Sequence, residues 1–130
     1  MPEFICVILD DEPLAVKAIS FMLVQLGVTQ IVCYQKATDA VAYIKEQSKQ
    51  NSANENLVVF ADYTLNNTDI TGADVLSILP AGMLKCLVSA EPMIETVAKL
   101  KGWPFLQKPI RREVLASLLL QLENKSRECS

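Results

Sequence analysis

Short, mostly apolar runs recur along the chain, and each one ends in polar or turn-forming residues. They occupy residues 4–9, 30–34, 57–61, 84–88 and 104–107. The runs at 4–9 and 57–61 are unbroken by any polar side chain, which is typical of central strands covered on both faces of a parallel sheet. The pattern therefore predicts five strands, with these two at the centre.

The segments between the strands favour helices at 14–26, 38–49, 72–79, 92–101 and 111–125. In the first, apolar residues recur at helical spacing and predict one buried face, with Gly27 as the C-terminal cap. The residues of that face are Leu14, Ala15, Ala18, Ile19, Met22, Leu23 and Leu26. Residues 50–56 are polar and predict a surface loop. Strands alternating with helices indicate a parallel sheet with helices on both faces.

Length and composition limit the classes of protein that fit. The 130 residues suit one domain at 1–123, with a polar tail at 124–130 interpreted as the start of a linker to an output domain. No apolar run approaches membrane-spanning length, and the amino-terminal residues lack the pattern of a signal peptide. A net charge of −3 gives no reason to expect nucleic-acid binding.

Cysteine and histidine usage narrows the chemistry further. Cys6, Cys33, Cys86 and Cys129 are widely spaced, and the first three lie in apolar runs, which favours buried free thiols in a reducing cytoplasm. The chain contains no histidine, which excludes Ser-His-Asp and Cys-His catalysis.

Polar groups of complementary chemistry follow four of the strands. Asp10 and Asp11 follow the first strand, Asp62 ends the third, Ser89 follows the fourth and Lys108 the fifth. Each also has a structural explanation; for example, Asp11 or Glu12 could cap the next helix. Together at one sheet edge, three carboxylates could hold a hard cation, while a hydroxyl and an ammonium could hold phosphoryl oxygens. A carboxylate beside a bound cation is a competent nucleophile toward phosphorus.

This ordered set of residues resembles the receiver domain of two-component response regulators, over residues 5 to about 122. The resemblance implies a flavodoxin-like, doubly wound (βα)5 sheet in the strand order 2-1-3-4-5. Asp62 matches the phosphoacceptor, Ser89-Ala90 the Thr/Ser and small residue of the fourth strand, and Phe105 the aromatic switch position. Lys108-Pro109 matches a Lys-Pro pair whose peptide bond the family usually holds cis.

The resemblance also implies a cofactor, partners and a mechanism. Mg²⁺ would be bound by Asp11, Asp62 and the backbone carbonyl of Thr64, and by Asp10 mainly through water. Asp62 would accept a phosphoryl group from a phosphohistidine on a sensor histidine kinase or phosphotransfer protein. Lys108 and Ser89 would contact that group, and Phe105 would turn inward. The protein would be a cytoplasmic signalling switch that also hydrolyses its own acyl phosphate, rather than an enzyme acting on other substrates.

Two features depart from the family pattern. Leu65-Asn66 replaces the usual Met-Pro pair, and Gly72 lies ten residues after Asp62 instead of nearer to it, which predicts a longer and more mobile connection. The last helix also has a broad apolar belt. Its inward stripe is predicted at Val114, Leu115, Leu118, Leu119 and Leu122, and Ile110, Ala116 and Leu120 widen it. The belt fits either a contact surface on the last two helices, for a homodimer or an output domain, or singly exposed apolar residues.

Two other functions compete with the switch. A pseudo-receiver would keep the fold and act as a protein-interaction module without phosphorylation; only the altered connection favours it. A small Asp-nucleophile phosphohydrolase would need a second acid where Thr64 stands, and a cap domain that this chain lacks. A flavin site would need a phosphate-binding loop after the first strand, which is also missing. The complete set of strand-end residues favours the switch.

Overall fold

Five strands and five helices alternate in the computed structural model, which describes residues 4–50, 56–66 and 68–128. All strand pairs are parallel, and the sheet order is β2-β1-β3-β4-β5. This confirms the predicted doubly wound fold. The elements are β1 (Ile5–Leu9), α1 (Pro13–Gln25), β2 (Gln30–Tyr34), α2 (Ala37–Gln50), β3 (Leu57–Asp62), α3 (Gly72–Ile78), β4 (Leu84–Ser89), α4 (Ile94–Lys101), β5 (Phe105–Gln107) and α5 (Arg112–Glu128).

The sheet separates two apolar cores. Successive side chains of a strand point to opposite faces, so Val59 packs into one core and Phe60 into the other. The Val59 core is covered by α2, α3 and α4, and the Phe60 core by α1 and α5. Both faces of β3 are buried along its whole length, which explains why its sequence is apolar without alternation.

Local signals in the sequence fix several helix ends. Pro13 occupies the first turn of α1, where its missing N–H costs no hydrogen bond. Thr71 and Asp74 form a reciprocal capping box at the start of α3. Gly102 ends α4 with a φ of 77°, a left-handed conformation that favours glycine.

The buried face of α1 is narrower than predicted. Ile19 and Leu23 are buried, but the predicted core residues Leu14 and Ala18 are exposed, as are Phe21 and Val24. The prediction was wrong because α1 is apolar on nearly every side. With Lys17 as its only charged residue, periodicity does not distinguish its faces.

Two further burial predictions were wrong. Val114 is exposed on α5, whereas Leu115, Leu118, Leu119 and Leu122 are buried as predicted. Cys33 is exposed because β2 lies at the edge of the sheet, whereas Cys6 and Cys86 are buried free thiols.

Three sequence predictions concern the ends of the described segments. Residues 51–55 of the predicted loop lie outside the described part of the chain, and so do Cys129 and Ser130. Helix α5 reaches Glu128, so residues 124–128 of the predicted tail continue the helix. Within the described segments, no helix combines the length and the apolar character that a membrane crossing requires.

Candidate functional site

Backbone hydrogen bonds between neighbouring strands align the residues that follow them. The N–H of Asp10 donates to the carbonyl of Tyr34, which ends β2, at 3.1 Å. The N–H of Tyr63 donates to Val88 of β4 at 2.8 Å, and the N–H of Lys108 donates to Ser89 at 2.9 Å. The sheet itself therefore brings the ends of all five strands to one edge.

Three carboxylates converge at that edge. Asp10, Asp11 and Asp62 each offer an oxygen, and these oxygens all lie within 4.8 Å of one another. Asp10 and Asp62 are each only 5 % exposed. Buried like charges at this separation repel, so the cluster needs positive charge nearby.

Lys108 supplies that charge. Its Nζ lies 2.7 Å from Oδ2 of Asp10 and 3.2 Å from Oδ2 of Asp62. Burial alone would lower the pKa of Lys108, but its contacts with the two carboxylates outweigh burial and raise the pKa above its usual value. The lysine is therefore held as an ammonium that bridges β1 and β3. The Lys108–Pro109 peptide bond is cis.

Asp62 is the most electrostatically perturbed member of the cluster. Burial raises its pKa to about 6, from 3.8, and the charge of Asp10 adds to this rise. Lys108 opposes the shift through its charge and its hydrogen bond, while Glu12 adds a further small rise. At pH 7 Asp62 is therefore mostly ionised but destabilised as an anion, which is the state expected of a group that gains from a cation or from covalent modification.

Asp11 has a carboxylate oxygen that is suited to bind a cation. Its Oδ2 accepts a hydrogen bond from the N–H of Asn66 at 2.7 Å. Its Oδ1 is buried and has no hydrogen-bond partner within the described part of the chain. A buried carboxylate oxygen without a partner is costly, and a hard divalent cation is the ligand that an all-oxygen cluster would accept. The residues present therefore fit a site for Mg²⁺.

The remaining predicted residues surround this cluster. Ser89 is buried, and its Oγ accepts a hydrogen bond from the N–H of Glu91 at 3.0 Å. Ser89, Ala90 and Thr64 line the same cavity as Asp62 and Lys108. Phe105 is half-buried at the start of β5, on the face opposite α1 and α5. The structure thus brings Asp10, Asp11, Asp62, Ser89 and Lys108 together at one edge.

Gly72 packs closely against the backbone of Asp62. Its N–H donates to the carbonyl of Tyr63 at 2.9 Å, so the end of the β3–α3 connection packs directly on the end of β3. A Cβ atom at position 72 would overlap the carbonyl group of Asp62. Only glycine permits this approach without displacing one of the two backbones.

Sequence reasoning missed three contributors to the site. The N–H of Asn66 restrains Asp11, but a backbone donor leaves no trace in the residue type. Glu12 adds negative charge near Asp62 and makes no side-chain cap on α1, although its position at the helix start suggested one. The packing of Gly72 on Asp62 was not predicted either, because a glycine at the start of a helix is equally typical of an ordinary loop.

Comparison with known proteins identifies the fold. No family model matches the sequence, and neither does any curated protein. Many solved structures match nearly its whole length, among them response regulator receiver domains. One from Clostridium thermocellum is 20% identical with a TM-score of 0.78, covering 98% of this chain and 99% of its own.

Two other receiver structures give the same result. The receiver domain of a putative LuxO repressor protein from Vibrio parahaemolyticus is 18% identical with a TM-score of 0.76, covering 96% of this chain and 93% of its own. A CheY-like receiver domain from Methanospirillum hungatei is 20% identical with a TM-score of 0.72, covering 97% and 98%. The chain therefore has the fold of response regulator receiver domains.

Proposed function

We propose that this chain is the receiver domain of a two-component phosphorelay, with Asp62 as the residue that accepts the phosphoryl group. The donor would be a phosphohistidine on a sensor kinase or phosphotransfer protein. The observation that carries the proposal is the convergence of Asp62 with Asp10 and Asp11, whose oxygens lie within 4.8 Å of one another. Lys108 lies 3.2 Å from Asp62, and one buried oxygen of Asp11 has no hydrogen-bond partner among the described residues. A purely structural ion pair would not require the third carboxylate.

The proposed metal ligands are Asp11 and Asp62 directly, the backbone carbonyl of Thr64, and Asp10 mainly through water. When bound, Mg²⁺ would neutralise the cluster and the charge on the phosphoryl oxygens. The convergence of three carboxylate oxygens within 4.8 Å supports this assignment.

The chain's own residues would carry out the transfer. An ionised oxygen of Asp62 attacks the phosphorus, a P–O bond forms, and the P–N bond to the donor imidazole breaks, so that the imidazole leaves and Asp62 becomes an acyl phosphate. The ammonium of Lys108, 3.2 Å from Asp62, would hold a phosphoryl oxygen. Hydrolysis of the acyl phosphate would transfer the phosphoryl group to water, release inorganic phosphate and restore the carboxylate of Asp62.

Ser89 and Phe105 would transmit the change. The Ser89 hydroxyl uses its oxygen to accept from Glu91, so its hydrogen is free to donate to a phosphoryl oxygen. Movement of Ser89 would make room for the half-buried ring of Phe105 to turn inward. Such a two-state change biased by a new charge is the behaviour of a phosphorylation switch.

The output surface is proposed on the last two helices. Leu100 of α4 is 82 % exposed and Leu120 of α5 is 59 % exposed. Exposed leucines on both helices, beyond the stripe that packs on the sheet, support a contact with an output domain or a second receiver.

The deciding experiment measures intact-protein mass after incubation with acetyl phosphate, with and without Mg²⁺. We expect one added phosphoryl group on the wild type in the presence of Mg²⁺ and none on Asp62→Asn. Asp69→Asn, in the β3–α3 connection, removes an exposed carboxylate and should be modified like the wild type.

Either of two results would reject the proposal. One is a phosphoryl group that persists on Asp62→Asn, which would move the acceptor elsewhere. The other is absence of an adduct under every condition, together with failure to bind beryllofluoride, which would favour a protein-interaction module that works without phosphorylation.

A further inference from the structure

A cavity of about 600 Å³ opens between α1 and the segment that follows β5. Its volume lies within the range of sites that bind small molecules. Ile8, Phe60 and Val88 form its floor, and these side chains belong to the core on the α1 and α5 side of the sheet. Ala15 of α1 stands on one wall and Ile110 on the other. The proposed phosphotransfer needs the strand edge but has no use for this apolar depth.

The cavity has one apolar end and one acidic end. Its apolar lining comes mainly from within the strands and from α1, whereas its charged lining comes from residues at the ends of the strands or just after them. The carboxylates are those of Asp10, Glu12, Asp62 and Glu91, against the single ammonium of Lys108. Lys108 is already paired with Asp10 and Asp62. In the described segments, Glu12 and Glu91 take part in no ion pair.

We propose that this cavity binds a small amphiphilic organic cation, with its hydrocarbon body between α1 and the sheet and its positive group beside Glu12 and Glu91. Burial of apolar surface would hold the body, and the excess of carboxylates at the mouth would select a cation over an anion. Leu14 and Met22 both line the cavity and are eight positions apart on the helix, so the body can extend about 12 Å along α1.

The first test titrates the full chain, without Mg²⁺, with hexyl-, octyl- and decylammonium by isothermal calorimetry. Each added methylene should tighten the dissociation constant about fourfold, until the cavity is filled. Hexylammonium and octylammonium should therefore differ by about sixteenfold. Octanoate, which has the opposite charge, should not bind at the concentrations at which octylammonium does.

Two results of this series would overturn the proposal. An affinity independent of chain length would place the ammonium in the carboxylate cluster alone, without use of the cavity. Equal affinity for octylammonium and octanoate would show that the acidic end of the cavity does not discriminate between a cation and an anion. Because neither readout involves phosphorylation, the outcome is independent of the proposed function.

Variants locate the binding. Ala15→Leu places a larger side chain in the cavity and should weaken octylammonium binding at least about tenfold. Ala42→Leu, on the exposed side of α2 and away from the cavity, is the matched control and should bind like the wild type.

The double variant Glu12→Gln, Glu91→Gln tests the acidic end separately. It should weaken octylammonium binding about tenfold while leaving octanol binding unchanged, because only the cation interacts with these charges. Unchanged octylammonium binding in this variant would refute the proposal, including in the case that Ala15→Leu does not fold.

Discussion

Replacing Asp62 by asparagine should stabilise the fold, although it removes the residue on which the proposed function depends. Asp62 is buried beside Asp10, and this environment raises its pKa from 3.8 to about 6. Asparagine has nearly the same shape and carries no charge. Its side-chain oxygen can still accept the hydrogen bond that Lys108 donates to Asp62 at 3.2 Å.

The magnitude follows from the pKa shift. A rise of about two pKa units corresponds to about 3 kcal/mol of destabilisation of the ionised form. Solvent access through the adjoining cavity should screen part of this, so we expect a gain of about 1–2 kcal/mol at pH 7. Between pH 4 and 6 the folded state binds more protons than the unfolded state, so the wild type loses stability as the pH rises. Asp62→Asn lacks this loss. Its stability relative to the wild type should therefore increase between pH 4 and 6 and stay constant at higher pH.

Urea denaturation without divalent cations, at several pH values from 4 to 7.5, measures the difference. Thermal melts at pH 7 should show the variant higher by about 3–8 °C. Adding Mg²⁺ should stabilise the wild type and should have a much smaller effect on the variant, since the metal loses an anionic ligand.

Asp69→Asn is the control, because it makes the same change in net charge at an exposed position in the β3–α3 connection. It should alter stability by no more than about 0.5 kcal/mol. The electrostatic reasoning fails if Asp62→Asn is no more stable than the wild type at pH 7, or if its gain is unchanged at pH 4.

Two more predictions concern the supports of the cluster. Lys108→Met removes the ion pairs to Asp10 and Asp62 and leaves these two buried carboxylates without a neutralising charge. The free energy of unfolding, measured by urea denaturation without metal, should therefore fall by about 2 kcal/mol. An unchanged stability would show that these ion pairs do not stabilise the fold. Gly72→Ala forces a Cβ against the carbonyl of Asp62 and should cost about 2–3 kcal/mol, with slower modification of Asp62 by acetyl phosphate in the mass assay. If Gly72→Ala has normal stability and a normal modification rate, the backbone at position 72 can shift without cost and the close packing is not required.

The sequence was informative wherever burial alone decided the structure. The unbroken run at 57–61 predicted a strand buried on both faces, and β3 is such a strand. The rule that parallel strands end at one edge predicts that Asp10, Asp62 and Lys108 lie close together, and Lys108 contacts both carboxylates.

Burial was harder to predict where the sequence is apolar on every side. Nothing in the spacing of Leu14 or Val114 separates an exposed position from a core position, because both belong to broad apolar belts. The contact between Asp11 and the N–H of Asn66 joins residues 55 positions apart through a backbone group. Such contacts depend on the path of a connection, which residue types do not encode. The predicted mobility of that connection stays a prediction.

The same connection has a consequence for how sequences of this kind can diverge. Two hydrogen bonds hold the connection in place. The N–H of Gly72 donates to the carbonyl of Tyr63, and the N–H of Asn66 donates to the carboxylate of Asp11. Because these two contacts hold both ends of the connection, the number of residues between them does not set the position of Asp62. Doubling such a segment costs only about 0.6 kcal/mol in closure entropy. Related sequences can therefore gain or lose residues here without moving Asp10, Asp11 and Asp62. The number of residues between Asp62 and Gly72 is expected to vary among them.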